Sequence, residues 1–126
     1  MTRVLIADDK ETSRELIRMV LESLGHEVRE ASDGLEAVRY ARELPPDLII
    51  LDLQMPVLDG FGALAELRGD RSLAATPIMA LTASAMQGDR ERALAAGFDS
   101  YVSKPIPLAK LREEVTRLLE RPGNRN

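Results

Sequence analysis

Leu48-Ile49-Ile50-Leu51-Asp52, four consecutive branched aliphatic side chains closed by a carboxylate, is the stretch that decides the fold. An unbroken apolar run of this length reads as a strand covered on both faces, the condition of a parallel sheet. Similar runs occur at Val4 to Ala7, more weakly around Val28, at Ile78 to Leu81, and briefly at Tyr101-Val102. Between them the period changes to helical. Leu16, Ile17, Val20, Leu21 and Leu24 share a helix face, with Gly25 at the C′ position. Asp33 and Glu36 read as a capping box for a second helix through Ala37, Val38 and Ala41, stopped before Pro45-Pro46. A third helix carries Phe61, Leu64 and Leu67. A fourth, lightly apolar and loosely packed, runs from Asp89 to Ala96 before Gly97. A fifth places Leu108, Leu111, Val115 and Leu118 on one stripe, with Pro107 near its start. About five β-α units predict an α/β, doubly wound open sheet, because a barrel needs ~250 residues.

The 126 residues suffice for one domain that buries roughly two thirds of its unfolded surface. There is no cysteine, which excludes disulfides and thiolate metal sites. Seventeen basic against 21 acidic side chains give a formal charge of −4, so no basic footprint for nucleic acid exists. Asp8 and Asp9 interrupt the first apolar run before a signal peptide could form, and no stretch approaches a membrane span. The expected compartment is the cytoplasm. Residues 1–121 are expected to form the domain and 122–126 a disordered tail.

In such sheets ligands bind beyond the carboxyl ends of the strands. Reading past each run gives Asp8 and Asp9, then Asp52, Thr82 and Lys104. Two carboxylates about 4 Å apart repel by about 4 kcal/mol at an effective dielectric near 20, so three together call for a cation. Hard oxygen donors without neighbouring histidine or cysteine select Mg²⁺, with Mn²⁺ as the substitute. A carboxylate beside such an ion can attack a phosphoryl group to give an acyl phosphate. Asp52 is the candidate nucleophile, Asp8 and Asp9 hold the metal, Lys104 meets a phosphoryl oxygen and Thr82 hydrogen-bonds another.

Asp8-Asp9, Asp52 with Met55-Pro56 and Asp59-Gly60, Thr82-Ala83, and Lys104-Pro105 together resemble the receiver domain of two-component response regulators. The resemblance runs from Val4 to about Leu119. It implies a flavodoxin-like five-stranded parallel sheet of order 2-1-3-4-5 with helices on both faces. It further implies Asp52 as phosphoacceptor, Asp9 as direct metal ligand, Asp8 acting through water and the Gln54 backbone carbonyl as a further ligand. By the same resemblance Thr82 is the switch hydroxyl, Tyr101 the switch aromatic, and Lys104-Pro105 a cis bond. The implied phosphoryl donor is a histidine kinase or histidine phosphotransfer protein. The implied output is an unidentified protein on the face of the fourth helix, fifth strand and fifth helix. The chain is expected to be a signalling phosphoacceptor in place of an enzyme, catalysing only its own phosphorylation and dephosphorylation, as a monomer or weak dimer without direct contact to nucleic acid or membrane. Gln54 and Ser84 occupy positions that tune acyl-phosphate lifetime in the family. The motif style matches stand-alone regulators and receivers of hybrid kinases, so a receiver excised from a hybrid kinase is the alternative context.

Each residue also has a plainer reading. Asp8-Asp9 alone is a solvated turn or helix cap, Thr82 a strand end, Lys104 a surface charge and Tyr101 a half-buried core aromatic. His26 is expected as an exposed loop residue, and Met55, Met79 and Met86 as gap fillers. A haloacid-dehalogenase-type phosphatase wants a second aspartate two residues after the first, where Gln54 stands. A flavodoxin cradles phosphate in its first loop, which Asp8-Asp9-Lys10-Glu11 would repel.

Overall fold

The computed structural model describes residues 2–83 and 88–120. The expected tail over 122–126, together with Ser84 and Met86, lies outside the described residues. The chain runs β1 (Arg3–Ala7), α1 (Glu11–Ser23), β2 (Glu27–Ala31), α2 (Gly34–Glu43), β3 (Leu48–Asp52), α3 (Gly60–Arg68), a 3₁₀ turn (Arg71–Leu73), β4 (Ile78–Thr82), α4 (Asp89–Ala96), β5 (Ser100–Ser103) and α5 (Leu108–Leu119). The sheet is five-stranded and parallel in the order β2-β1-β3-β4-β5. The sequence pattern missed the 3₁₀ turn, which is set by Asp70 accepting from the Ser72 N–H at 3.0 Å.

Every residue of β3 and β4 is buried, so the unbroken runs do mark strands covered on both sides. Alternate residues feed two cores. Leu5, Ile49, Leu51, Ile78 and Ala80 pack against α2, α3 and Ala93 of α4. Val4, Ile6, Leu48, Ile50, Met79 and Leu81 pack against α1 and α5. Burying each such large aliphatic side chain stabilises by about 2 kcal/mol relative to leaving it exposed. β2 is an edge strand and alternates exposed with covered residues. There Arg29 stacks over the Tyr40 ring at 3.7 Å, and the edge is charged, which disfavours pairing with another sheet.

The capping expectations can be checked atom by atom. Asp33 accepts from the Glu36 N–H at 2.7 Å, and Glu36 reaches back to the Ser32 N–H at 2.8 Å, one residue earlier than the usual box. Gly25 has φ +90°, and the bonds Gly25 N–H to Glu22 O and His26 N–H to Leu21 O complete a Schellman end to α1. Gly97 closes α4 in the same way, with Phe98 donating to Ala93 O.

The apolar stripes are narrower than the spacing suggested. Leu16 is 50% exposed, and Leu24 and Leu108 also face outward, so α1 buries Ile17, Val20 and Leu21 alone. His26 differs from expectation too. It is half-buried and its Nδ1 is hydrogen-bonded to the Thr2 hydroxyl. No helix among the described residues is long and apolar enough to cross a membrane.

Candidate functional site

β1, β3, β4 and β5 end on one edge of the sheet, and their last residues build the site. Asp8 follows β1 and is wholly buried. Its N–H donates to Ala31 O at 3.1 Å, prolonging the β1–β2 ladder, while its Oδ1 accepts the Lys10 N–H at 2.9 Å. Asp52 closes β3, is buried, and accepts the Gln54 N–H on Oδ1 at 3.0 Å. Behind it the loop folds back so that Gly60 donates to Leu53 O. A Cβ on Gly60 would lie 2.6 Å from Asp52 O, so the glycine permits α3 to start against the end of β3.

Lys104 lies one residue past β5, and its N–H donates to Thr82 O at 2.7 Å, which ties it to the end of β4. Its ammonium bridges two carboxylates, Asp8 Oδ2 at 2.6 Å and Asp52 Oδ2 at 2.9 Å. The Lys104–Pro105 bond is cis. Thr82 is buried at the end of β4 beside these groups. Asp9 is exposed, and one carboxylate oxygen from each of Asp8, Asp9 and Asp52 comes within 4.8 Å of the others.

The electrostatics distinguish the two buried acids. Burial raises the Asp8 carboxyl, but hydrogen bonds from Lys104 and the Lys10 N–H outweigh it and hold the group below the ordinary range. For Asp52 burial prevails over the Gln54 N–H and Lys104, and the nearby Asp8 charge adds to it, so the group is pushed up. Lys104 loses stability as a cation through burial, yet its two carboxylate partners keep it above its usual value. Three carboxylates and one ammonium leave a formal charge of 1 − 3 = −2. That donor set, oxygen only and doubly negative, fits one divalent hard cation. Part of the positive charge that three crowded carboxylates call for is supplied within the chain, since Lys104 pairs with two of them.

Five of the expected positions therefore converge: Asp8, Asp9, Asp52, Lys104 and Thr82. Gln54 enters through its backbone N–H on Asp52, and its side chain is exposed. Tyr101 stands apart, half-buried against the α2/α3/α4 core. Its hydroxyl is buried without a hydrogen-bond partner among the described residues, and burial, then the charges of Asp89 and Glu91 of α4, hold the phenol above its ordinary value and disfavour its ionisation. Sequence reasoning missed Arg14, whose Nη1 donates to the Asp8 carbonyl at 2.6 Å. Arg14 lies one turn into α1, and nothing local in the sequence signals that partner.

The profile of the response regulator receiver domain matches residues 4–116. The polar-differentiation response regulator DivK of Brucella ovis is 39% identical over 116 residues, covering 92% of this chain and 94% of that protein. Among solved structures, the receiver domain of a sensor histidine kinase from Pseudomonas aeruginosa, with a magnesium ion coordinated in its active-site cleft, is 38% identical at a TM-score of 0.88, covering 95% of this chain and 98% of that one. The chemotaxis protein CheY4 of Vibrio cholerae is 31% identical at a TM-score of 0.87, over 94% and 98% of the two chains. The two solved structures share the fold of this chain over at least 94% of its length. On the fold, the acidic strand ends and these matches, the chain belongs to the response regulator receiver family of two-component signalling.

Proposed function

We propose that the chain accepts a phosphoryl group on the Asp52 carboxylate from the phosphohistidine of a histidine kinase or a histidine phosphotransfer protein. The observation that carries this is the meeting of Asp8, Asp9 and Asp52 within 4.8 Å beneath a lysine that bridges two of them. Asp8, Asp9, Asp52 and the Gln54 carbonyl would hold Mg²⁺, or Mn²⁺ in its place. The magnesium in the Pseudomonas receiver supports this assignment. Bound there, the ion supplies charge neutralisation for the transferring oxygens.

The chain's own residues do the rest. Asp52 forms the new O–P bond as the P–N bond of the donor breaks, and the imidazole departs with the electron pair and takes a proton from solvent. Lys104 exchanges a carboxylate for a phosphoryl oxygen, a short move for an ammonium already 2.9 Å from Asp52. The acyl phosphate adds roughly one negative charge where Asp52 stood, and the hydroxyl of Thr82, buried at the end of β4, would donate to it. Drawing Thr82 inward would carry the following loop with it, let Tyr101 turn, and reshape the surface of α4, β5 and α5 for an output protein. Reversal by water at the same site would make phosphorylation and dephosphorylation self-catalysed. The expected compartment for this exchange is the cytoplasm.

Incubation with acetyl phosphate and Mg²⁺, followed by intact mass, tests the reading. Wild type should gain one phosphoryl group and Asp52→Asn none. An unmodified wild type, or equal labelling of the variant, would reject it.

A further inference from the structure

Resting on the reading of Asp8, Asp9 and Asp52 as a metal site, we propose that Arg14 is a positioning residue for the metal ligands, fixing the Asp8–Asp9 peptide through the Asp8 carbonyl. Asp9 is the ligand with least support of its own. It is exposed, and among the described residues no hydrogen bond or ion pair holds its carboxylate. Its position therefore depends on the peptide that precedes it. That peptide's carbonyl accepts Arg14 Nη1 at 2.6 Å, while Asp8 N–H is held by Ala31 O and Asp8 Oδ1 by the Lys10 N–H. The Arg14 contact acts on the Asp8–Asp9 peptide itself, while the other two hold the preceding peptide and the Asp8 side chain, so Arg14 sets the direction in which Asp9 leaves.

A guanidinium so near a cation site would by itself repel the ion. Glu30, near the carboxyl end of β2, removes that objection: its Oε1 accepts a hydrogen bond from Arg14 Nε at 3.0 Å, and its Oε2 lies 3.1 Å from Arg18 Nε as an ion pair without hydrogen-bond geometry. Arg14 thus spans a carboxylate with one nitrogen and a carbonyl with another. The planar fork of arginine can do this, and a lysine ammonium at the end of a flexible stem cannot do it with the same geometry. Arg14 is covered, with its side chain 14% exposed, whereas Arg18 is 36% exposed and does not touch Asp8.

Electrostatics and positioning predict opposite signs, which makes the proposal testable. Deleting a positive charge beside a cation site should tighten Mg²⁺ binding if charge alone matters. Deleting a group that orients a ligand should weaken it, by about tenfold on the usual scale for such supporting contacts. Calorimetric titration with Mg²⁺ alone is expected to show a roughly tenfold higher Kd for Arg14→Gln, partial recovery for Arg14→Lys, and a near wild-type value for Arg18→Gln. In acetyl phosphate labelling, the half-saturating Mg²⁺ concentration should rise for Arg14→Gln while the rate at saturating Mg²⁺ is retained.

Mg²⁺ binding by Arg14→Gln as tight as wild type, or tighter, would overturn the proposal. So would an equal loss in Arg18→Gln, which would mark a general effect of α1. If Arg14→Gln does not fold, Arg14→Lys decides, because wild-type affinity in that variant removes the role of the fork. A wild type without any Mg²⁺ affinity would remove the metal site itself, and is thereby distinguished from a failure confined to Arg14.

Discussion

Lys104 is one cation serving two buried acids, so its removal leaves more than a missing bond. Asp8 and Asp52 would face each other without a counter-charge, and breaking a buried pair in this way costs about 3 kcal/mol. Lys104→Met should therefore lower stability by about that amount in urea without metal, and Mg²⁺ should restore more stability to the variant than to wild type, because the ion then meets a more negative site. Equal Mg²⁺ stabilisation of both proteins would contradict this. His26 offers a separate test away from the site. Burial, only partly opposed by Asp47, holds its imidazole below 6.5, so the unfolded chain binds the proton more readily. Stability is then fully present above 6.5 and declines as pH falls from there towards the folded value. In His26→Gln, urea midpoints should lose that part of the decline. Both residues show where the sequence was legible. Asp8, Asp52 and Lys104 were found because each stands just past an apolar run, whereas the bridge among them joins residues 8, 52 and 104, and no local pattern encodes it.

Elements differ in how firmly they are held, and α4 is held least. It buries Ala93 alone, against three buried residues in α1 and four in α5. What secures its end is Arg68 of α3, which donates to Gly97 O at 2.9 Å, Asp99 Oδ2 at 2.8 Å, Thr76 O at 2.6 Å and Ala74 O at 3.1 Å. Asp99 in turn accepts the Ile78 N–H at 2.9 Å, so one guanidinium joins the ends of α3 and α4 to the starts of β4 and β5. Arg68→Ala should cost about 3 kcal/mol, since charged hydrogen bonds are lost and a carboxylate is left half-buried. Amide exchange should accelerate most in the last turn of α4. Uniform acceleration across the chain would show that the clamp is not local. The bounds of α4 were readable from Asp89 to Ala96 because glycines stand at both ends, and its weak packing was readable from its alanines. Arg68 was not. On a short helix ending at Arg68 it looks like any surface charge, and two of its four acceptors, Gly97 O and Asp99 Oδ2, lie 29 and 31 residues on in the sequence.

At the scale of the molecule, the site lies where both cores end, at the carboxyl edge of the three strands that share them. The sheet is rigid there, because β3 and β4 are buried throughout and their neighbours on both faces are filled. The strand order followed from the family resemblance, and periodicity alone supplied only the number of β-α units, because pairing between distant strands leaves no mark in either one. A charge added at Asp52 cannot be accommodated by shifting the sheet, so it must be met by the covering segments. α1 and α5 share a continuous core with the strands, α2 is fixed by its cap and by Ala37, Val38 and Ala41, and α3 by its Asp59 cap and by Ala63, Leu64 and Leu67. α4 remains, anchored at its carboxyl end and joined to Thr82 at the other through residues 83–88. Tyr101, whose hydroxyl has no hydrogen-bond partner among the described residues and which feels the charges of the first turn of α4, is the side chain proposed to follow. Hydrogen exchange with and without acetyl phosphate, in Mg²⁺, should therefore change in α4 and β5 and leave α2 and the centre of β3 as they were. In Asp52→Asn the two traces should coincide. A change centred on α2, or one that persists in the variant, would mean that the charge reaches the surface by some other route than the least anchored helix.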